Sequence, residues 1–224
     1  IADIQRRIKA GTLDIVIGTH KLIGKGFEFK DLGLLIIDEE QKFGVGAKEK
    51  LRQLKASVDT LTLTATPIPR TLAMTLYGDL DVSVIDEMPP GRKPVQTIHA
   101  TEAKRPALYR FMRDQIALGR QVFVVYPLIN ETEKLDYQSL EAGAEDIMNK
   151  FPFPDYKTAI VHGKQQNDVK QFNMDAFAAG RADILVATSV IEVGVDVPNA
   201  SVMVIESAER FGLSQLHQLR GRVG

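Results

Sequence analysis

The sequence lacks several features that would each assign it to a class of protein. It contains no cysteine, which excludes disulfide bonds and cysteine-ligated zinc sites. No apolar run approaches the ~20 residues that cross a bilayer, and no signal peptide is visible in the charged opening segment 1–10. The formal net charge of −1 provides no basic field to attract nucleic acid. We therefore expect a cytoplasmic protein. Charge alone favours a protein that does not bind nucleic acid, and any such contact would have to use a few placed side chains and backbone amides.

A further absence concerns nucleotide binding, because no stretch of the 224 residues fits the phosphate loop G-x-x-x-x-G-K-[ST]. The sequence nevertheless has an apolar strand, 34–37, that runs directly into Asp38, Glu39, Glu40 and Gln41. The carboxyl end of a buried parallel strand is where α/β sheets bind ligands. Two carboxylates there suit phosphate transfer, because one can order Mg²⁺ and the other can polarise the attacking water. The alternative is a helix N-terminus, where acidic side chains favour the dipole.

The pattern thus predicts the second half of a nucleotide site without the first. The chain begins at Ile1 rather than at a methionine and stops at Gly224 inside an Arg/Gly motif. Both observations favour an excised fragment.

Strands alternate with helices along the chain, which predicts an α/β fold with parallel sheets covered on both faces. The Pro-rich stretch 86–94 cannot continue a helix or occupy a central strand. We therefore place a first, incomplete lobe at 1–86, a linker at 87–94 and a second lobe at 95–224. The predicted strands are 14–18, 34–38, 60–64, 82–85, 95–99, 121–126, 158–162, 183–187 and 201–205. The predicted helices are 46–54, 69–77, 103–118, 140–150, 169–178 and 214–219.

Small hydroxyl residues follow two predicted strands of the first lobe. Thr64 and Thr66 come about 25 residues after the acidic pair, where they can bond the acidic loop; the alternative is a cap for the next helix. The tripeptide Gly18, Thr19 and His20 could donate hydrogen bonds to a phosphate, although a turn with a cap also explains it.

Two further motifs lie in the second lobe. Segment 188–196 follows a strand and contains Gly194, which allows close backbone approach, and the hydroxyls of Thr188 and Ser189; a buried turn is the alternative. Segment 218–224 places arginines on a Gly-rich turn, where guanidinium groups match phosphate oxygens; a cationic helix end is the alternative. The fixed order of all these signals is stronger evidence than any one of them.

This order resembles the superfamily 2 helicases and DNA translocases. Residues 38–41 match motif II, 64–66 match motif III, 188–196 match motif V, and 218–224 match the start of motif VI. Two bacterial groups are similar: the RecG-type helicases, which remodel stalled forks and junctions, and the transcription-repair coupling factor Mfd. Segment 15–63 looks more like the coupling factor, and the chain from Leu76 onward looks like RecG. A RecG-type chain with an unusual motif II, or two joined sequences, would produce this pattern.

The resemblance implies a mechanism in which two RecA-like lobes clamp ATP and Mg²⁺ and each hydrolysis cycle moves them along branched or duplex DNA. A chain of coupling-factor type would also act on RNA polymerase. The implied catalytic residues are Asp38, which orders Mg²⁺ through water, Glu39, which positions the attacking water, and Arg222, an arginine finger. Without the phosphate loop, the isolated chain should have no measurable ATPase activity.

The other implied residues fall into three groups. The ATP cleft is lined by Glu40, Gln41, Gly194, Asp196 and Gln218. Coupling between ATP and DNA is assigned to Thr64 and Thr66, and DNA contact to Gly18, Thr19, His20, Thr188 and Ser189. A rival of another class is a non-catalytic α/β scaffold, which the intact Asp38, Glu39 and Arg222 argue against. A second rival is a small-molecule enzyme of doubly wound fold, which the lack of a G-x-G-x-x-G fingerprint and of a nucleophile constellation argues against.

Overall fold

A computed structural model describes residues 1–24, 26–40, 43–55, 57–65, 81–87, 92, 94–127, 133–188 and 197–223. The chain divides into two compact units, 1–69 and 70–224. The linker predicted at 87–94 falls partly outside the described residues, so the predicted domain boundary remains a prediction.

Among its described residues, the first unit contains two α-helices, a short 3₁₀ helix and a two-stranded parallel sheet. Helix α1 (Ala2–Ala10) ends at Gly11, whose left-handed φ of 70° suits a residue without a side chain. Strand β1 (Leu34–Asp38), helix α2 (Val45–Lys55) and strand β2 (Asp59–Leu63) follow in chain order. The two strands pair in parallel from Leu34 opposite Asp59 to Asp38 opposite Leu63, so the carboxyl ends of both strands meet at one edge.

One face of the β1–β2 sheet is apolar and exposed. Ile36 pairs with Leu61, and side chains at alternate positions of each strand share a face. Leu34, Ile36, Leu61 and Leu63 therefore lie on one face, and 44 to 57% of each residue is exposed to solvent. Parallel sheets are normally covered on both faces. In the described part of this unit, this apolar face is not covered.

The α-helices and strands that the structure describes in the second unit are helix α3 (Arg105–Ala117), strand β3 (Gln121–Tyr126), helix α4 (Glu133–Lys150), strand β4 (Thr158–Val161), helix α5 (Asn167–Ala178), strand β5 (Ile184–Thr188), strand β6 (Ala200–Ile205) and helix α6 (Leu213–Arg220). The strands form a four-stranded parallel sheet in the order β4-β5-β3-β6.

Alternate strand residues of the second unit enter two separate cores. Phe123 and Val125 of β3 pack in one cluster with residues of α5 and α6. Val122 and Val124 pack in the other cluster with residues of α3 and α4. Helices therefore cover both faces of the sheet, as the near-continuous apolar strands predicted.

Three predicted strands are wrong: 14–18, 82–85 and 95–99 form no strand in the structure. Ile17 is 93% exposed and Ile85 is 94% exposed. Short apolar segments such as these fit a strand pattern. A strand also needs a neighbouring backbone to pair with, and the local sequence does not show whether that neighbour is present. The predicted helix 69–77 lies outside the described residues.

Candidate nucleotide and nucleic-acid sites

The acidic run begins at the carboxyl end of β1, as predicted. Asp38 is the last residue of the strand and is exposed. Glu39 leaves the strand with a φ of 52°, a left-handed conformation that is uncommon for a residue other than glycine. Its backbone N–H donates to the Leu63 carbonyl at 3.0 Å, so the turn is bonded to the end of β2. Left-handed residues of this kind cluster at functional sites.

The side chain of Glu39 connects the acidic run to the Thr64 segment. Its Oε1 accepts a hydrogen bond from the backbone N–H of Ala65 at 2.7 Å and lies 3.4 Å from Oγ1 of Thr64, which donates to it. The structure therefore brings together two predicted site residues, Glu39 and Thr64, that are 25 positions apart in the chain. Thr66 and Gln41 lie outside the described residues.

Asp38 fits a magnesium ion held mainly by other ligands. No group of three or more His, Cys, Asp or Glu side chains that could hold a metal occurs among the described residues. Mg²⁺ commonly retains several waters and is bound by one or two carboxylates and the phosphates of a substrate. A single exposed carboxylate at a strand end is consistent with that arrangement.

The predicted DNA-contact residues of the first unit form a capped turn. Thr19 precedes a short 3₁₀ helix, His20–Ile23, and its Oγ1 accepts from the Lys21 N–H at 3.5 Å. A Cβ at Gly18 would lie 2.9 Å from the Leu22 side chain, which would have to shift to admit it. His20 is exposed. This geometry is that of the turn-and-cap alternative, and the DNA role of the three residues remains a prediction.

The carboxyl ends of the strands in the second unit place several polar side chains along one edge. Tyr126 pairs with Thr188, and Val161 pairs with Ala187. Thr188 is only 3% exposed, and its Oγ1 has no hydrogen-bond partner among the described residues. A buried hydroxyl without a partner is costly, so Thr188 is suited to a ligand oxygen. Ser189, Gly194 and Asp196 lie outside the described residues.

His162 and Lys164 follow β4 at the same edge, and the sequence did not predict a role for either. The His162 N–H donates to Oε1 of Gln165 at 3.2 Å. Burial is the main influence on this imidazole and lowers the pKa of His162. A histidine at the end of the predicted strand 158–162 and a lysine two residues beyond it were the available signal. His162 directly follows Val161, which pairs with Ala187, so it lies at the level of Thr188 at the carboxyl edge of the sheet.

Arg222 follows α6 between two buried anchors. Gln215 accepts a hydrogen bond from the Gly212 N–H at 3.1 Å and so caps the start of the helix. Leu219 is fully buried and Val223 is 5% exposed, and the Arg222 N–H donates to the Leu219 carbonyl at 3.0 Å. The backbone on either side of Arg222 is therefore held in the core, while Gln218 and Arg222 are half-buried.

Two helicase family models match the chain. The helicase conserved C-terminal domain matches residues 103–224, and the DEAD/DEAH box helicase domain matches residues 2–75. The chain belongs to the helicase family. This confirms the predicted fold class of two RecA-like parallel α/β lobes.

Individual relatives agree with the family models. The chain is 52% identical over 221 residues to the ATP-dependent DNA helicase RecG of Thermotoga maritima, covering 99% of this chain and 28% of the relative. It is 49% identical to RecG of Synechocystis sp., covering 99% of this chain and 27% of the relative. The solved structure of RecG bound to a three-way DNA junction is 48% identical, with a TM-score of 0.67 over 99% of this chain and 28% of that chain.

The similarity to RecG includes the first third of the chain. Because the matches cover 99% of its residues, they include segment 15–63, for which the sequence suggested the coupling factor. The coupling-factor alternative is therefore not favoured. The chain spans less than a third of the length of these relatives.

No helix among the described residues is long and apolar enough to cross a membrane.

Proposed function

We propose that this chain is the motor segment of a RecG-type helicase, which couples ATP hydrolysis with Mg²⁺ to the remodelling of branched DNA in bacterial recombination and repair. The observation that carries the proposal is the bond from Ala65 to Glu39. It joins the acidic run to the loop that follows the neighbouring strand. Similarity to RecG across 99% of the chain supports the same conclusion. We place the protein in the cytoplasm.

The first unit contributes the hydrolytic carboxylates. Bound ATP and Mg²⁺ supply the phosphoryl group and the charge that neutralises it. Asp38 would hold the metal, and Glu39 would orient the attacking water. Glu40 and Gln41 line the nucleotide site. Because Glu39 also accepts from Ala65 and Thr64, a change in its orientation alters the hydrogen bonds of that loop.

The loop after β2 carries this change toward DNA. We assign the coupling to Thr64 and Thr66. Thr64 donates to the Glu39 carboxylate from its side-chain hydroxyl, whereas Ala65 donates to the same carboxylate from its backbone N–H. The hydroxyl is therefore the part of the link that a side-chain substitution removes.

The second unit contributes an arginine finger and a DNA-contacting edge. Arg222 stabilises charge on the transferring phosphoryl group, and Gln218, Gly194 and Asp196 line the nucleotide site.

Thr188 and Ser189 contact DNA phosphates, and so do Gly18, Thr19 and His20 of the first unit. His162 and Lys164 extend the edge that Thr188 begins, since β4 and β5 are hydrogen-bonded neighbours. Contacts to the DNA phosphate backbone by hydroxyl groups and backbone N–H groups do not require a basic protein surface.

A chimaera tests the proposal, with this chain replacing the matching 221 residues of Thermotoga maritima RecG. We expect DNA-dependent ATPase activity and unwinding of three-way junctions. Asp38→Asn should abolish both, because the neutral amide lacks the negative charge that orders the hydrated Mg²⁺. Asp31→Asn, the same change at an exposed aspartate, is the matched control. A chimaera that folds and binds junction DNA but never hydrolyses ATP would support a non-catalytic scaffold instead.

A further inference from the structure

Glu206 lies where the chain leaves β6 for the arginine-bearing helix α6. It directly follows the strand, and its N–H donates to the Val125 carbonyl at 2.9 Å, which continues the parallel ladder by one bond. The next residue, Ser207, has a φ of 49°. A short 3₁₀ helix, Ala208–Arg210, then leads to α6. The direction that the chain takes toward Arg222 is therefore set at Glu206 and Ser207.

The turn at Ser207 is held in a conformation that serine rarely adopts. Left-handed backbone at a residue with a Cβ is unfavourable and persists only where the surrounding structure enforces it. Ser207 makes no side-chain hydrogen bond as a cap to the helix that follows. The enforcing contacts must therefore come from its neighbours.

Arg105 supplies such a contact from a different element. At the start of α3, its Nη1 and Nη2 donate to Oε1 and Oε2 of Glu206 at 2.8 and 2.9 Å, a bidentate pair with defined geometry. The side chains are 28% and 14% exposed, so this is more than a surface ion pair. The guanidinium also contacts Glu102, but that carboxylate is 80% exposed.

The far end of the same segment is also held by an arginine. Arg92 donates from its guanidinium to the carbonyl of Gly221, the residue directly before Arg222. Leu219 and Val223 are buried on either side. Residues 206–223 are therefore tied at both ends. Arg92 and the buried neighbours hold the backbone beside Arg222, and the Arg105–Glu206 pair holds the point from which the chain leaves β6 toward it.

We propose that the Arg105–Glu206 pair is a positioning clamp for the helicase reaction: it holds the left-handed turn at Ser207 and thereby sets the placement of Arg222. This inference rests on the proposed function, because it assumes that Arg222 acts on the transferring phosphate. Glu206 and Arg105 contact neither nucleotide nor DNA in this role. The clamp should affect the transition state more than the binding of ATP.

The first experiment measures steady-state ATPase kinetics in the chimaera described above. Glu206→Gln keeps the shape of the side chain and removes its charge. We expect kcat to fall about tenfold while KM for ATP changes less than about twofold. Glu209→Gln is the matched control, since Glu209 is an exposed carboxylate of the same segment. Equal kinetics for the two variants would overturn the proposal.

A second substitution separates positioning from direct contact. Ser207→Gly allows the left-handed turn without the clamp, because glycine has no Cβ. Added to Glu206→Gln, it should restore kcat to within about threefold of the unsubstituted chimaera. If the double variant stays as slow as Glu206→Gln, then Glu206 acts through a ligand or through general stability, and the clamp is refuted.

A third measurement does not depend on ATPase activity. Amide hydrogen exchange of residues 213–223 in the isolated chain should be about tenfold faster in Glu206→Gln and unchanged in Glu209→Gln. Unchanged exchange in both variants contradicts the clamp. If the chimaera has no ATPase activity but the isolated chain still shows this exchange difference, the proposed function has failed and the clamp has not.

Discussion

The backbone N–H of Ala65 donates a 2.7 Å hydrogen bond to the side-chain Oε1 of Glu39. The two residues follow neighbouring parallel strands, so their meeting is a consequence of register. Since Glu39 is also the residue proposed to orient the attacking water, the nucleotide site and the loop after β2 share one carboxylate.

Thr64→Ala in the chimaera should weaken the coupling between DNA binding and ATP hydrolysis. The substitution removes the hydroxyl that lies 3.4 Å from Glu39 and leaves the stronger Ala65 contact in place. We expect basal ATPase activity to be retained and the stimulation by junction DNA to fall about fivefold, as for loss of one weak hydrogen bond. Thr62→Ala, at an exposed position of the preceding strand, controls for the loss of a hydroxyl. Equal stimulation in both variants would remove Thr64 from the coupling path.

Arg222→Lys should lower kcat of the chimaera about a thousandfold, because an ammonium group cannot replace the planar fork of an arginine finger. KM for ATP should change much less. Arg181→Lys, at an exposed position after α5, is the corresponding control and should be neutral. Stopped-flow and steady-state ATPase assays measure both values, and a variant that loses ATP affinity instead of kcat would show that Arg222 binds the ground state.

The two units should respond differently to apolar substitutions. Phe123 is fully buried and its ring lies 4.9 Å from that of Phe177, so Phe123→Ala should cost about 3–5 kcal/mol of the free energy of unfolding of the second unit. Ile36 is 57% exposed on the open β1–β2 face, and Ile36→Ser should change stability by less than about 0.5 kcal/mol.

Urea denaturation of the isolated chain measures both effects. The unsubstituted chain should bind a fluorescent apolar dye through the open face, and Ile36→Ser should reduce that signal. A large loss of stability in Ile36→Ser would mean that this face is covered in solution.

Stability of the second unit should fall as the pH is lowered toward 5, in part because of His162. Burial lowers the pKa of His162 in the folded protein. Between this lowered pKa and the ordinary pKa of histidine in the unfolded chain, the unfolded state binds more protons than the folded state. The free energy of unfolding therefore rises with pH across that window, and this contribution to stability is lost as the pH falls through it. His162→Gln should flatten this slope, as measured by urea midpoints at about pH 7.5 and about pH 5.5. An unchanged slope would show that other groups cause it.

Much of the second unit could be predicted from local pattern. Strands such as β3 and β5 are continuous apolar runs bounded by polar turns, and a strand buried on both faces needs that composition wherever it lies in the sheet. The positions of Asp38, Thr188 and Arg222 at the ends of elements could be predicted for the same reason, because motif residues are placed by where a strand or helix ends.

Long-range contacts could not be predicted in this way. Glu206 reads as an ordinary acidic residue, yet it meets Arg105 across 101 positions. Gln121 reads as a polar residue at a strand start, yet its buried amide donates to the carbonyls of Phe177 and Ala182 at 2.6 and 2.7 Å. The failed strand at 14–18 is the converse case, since its continuous apolar run, 15–17, pairs with no strand among the described residues.

The difference between the features that the sequence predicts and those that it does not has a physical cause. Apolar periodicity and motif spacing are properties of neighbouring residues, so the chain alone specified its α/β class, most of its elements and its candidate residues. Hydrogen-bond partners, burial of polar groups and the placement of Glu39 against Ala65 depend on register and packing between distant segments. Those are established only when the strands pair and the helices cover them, because each such contact needs a second surface that the local sequence does not contain.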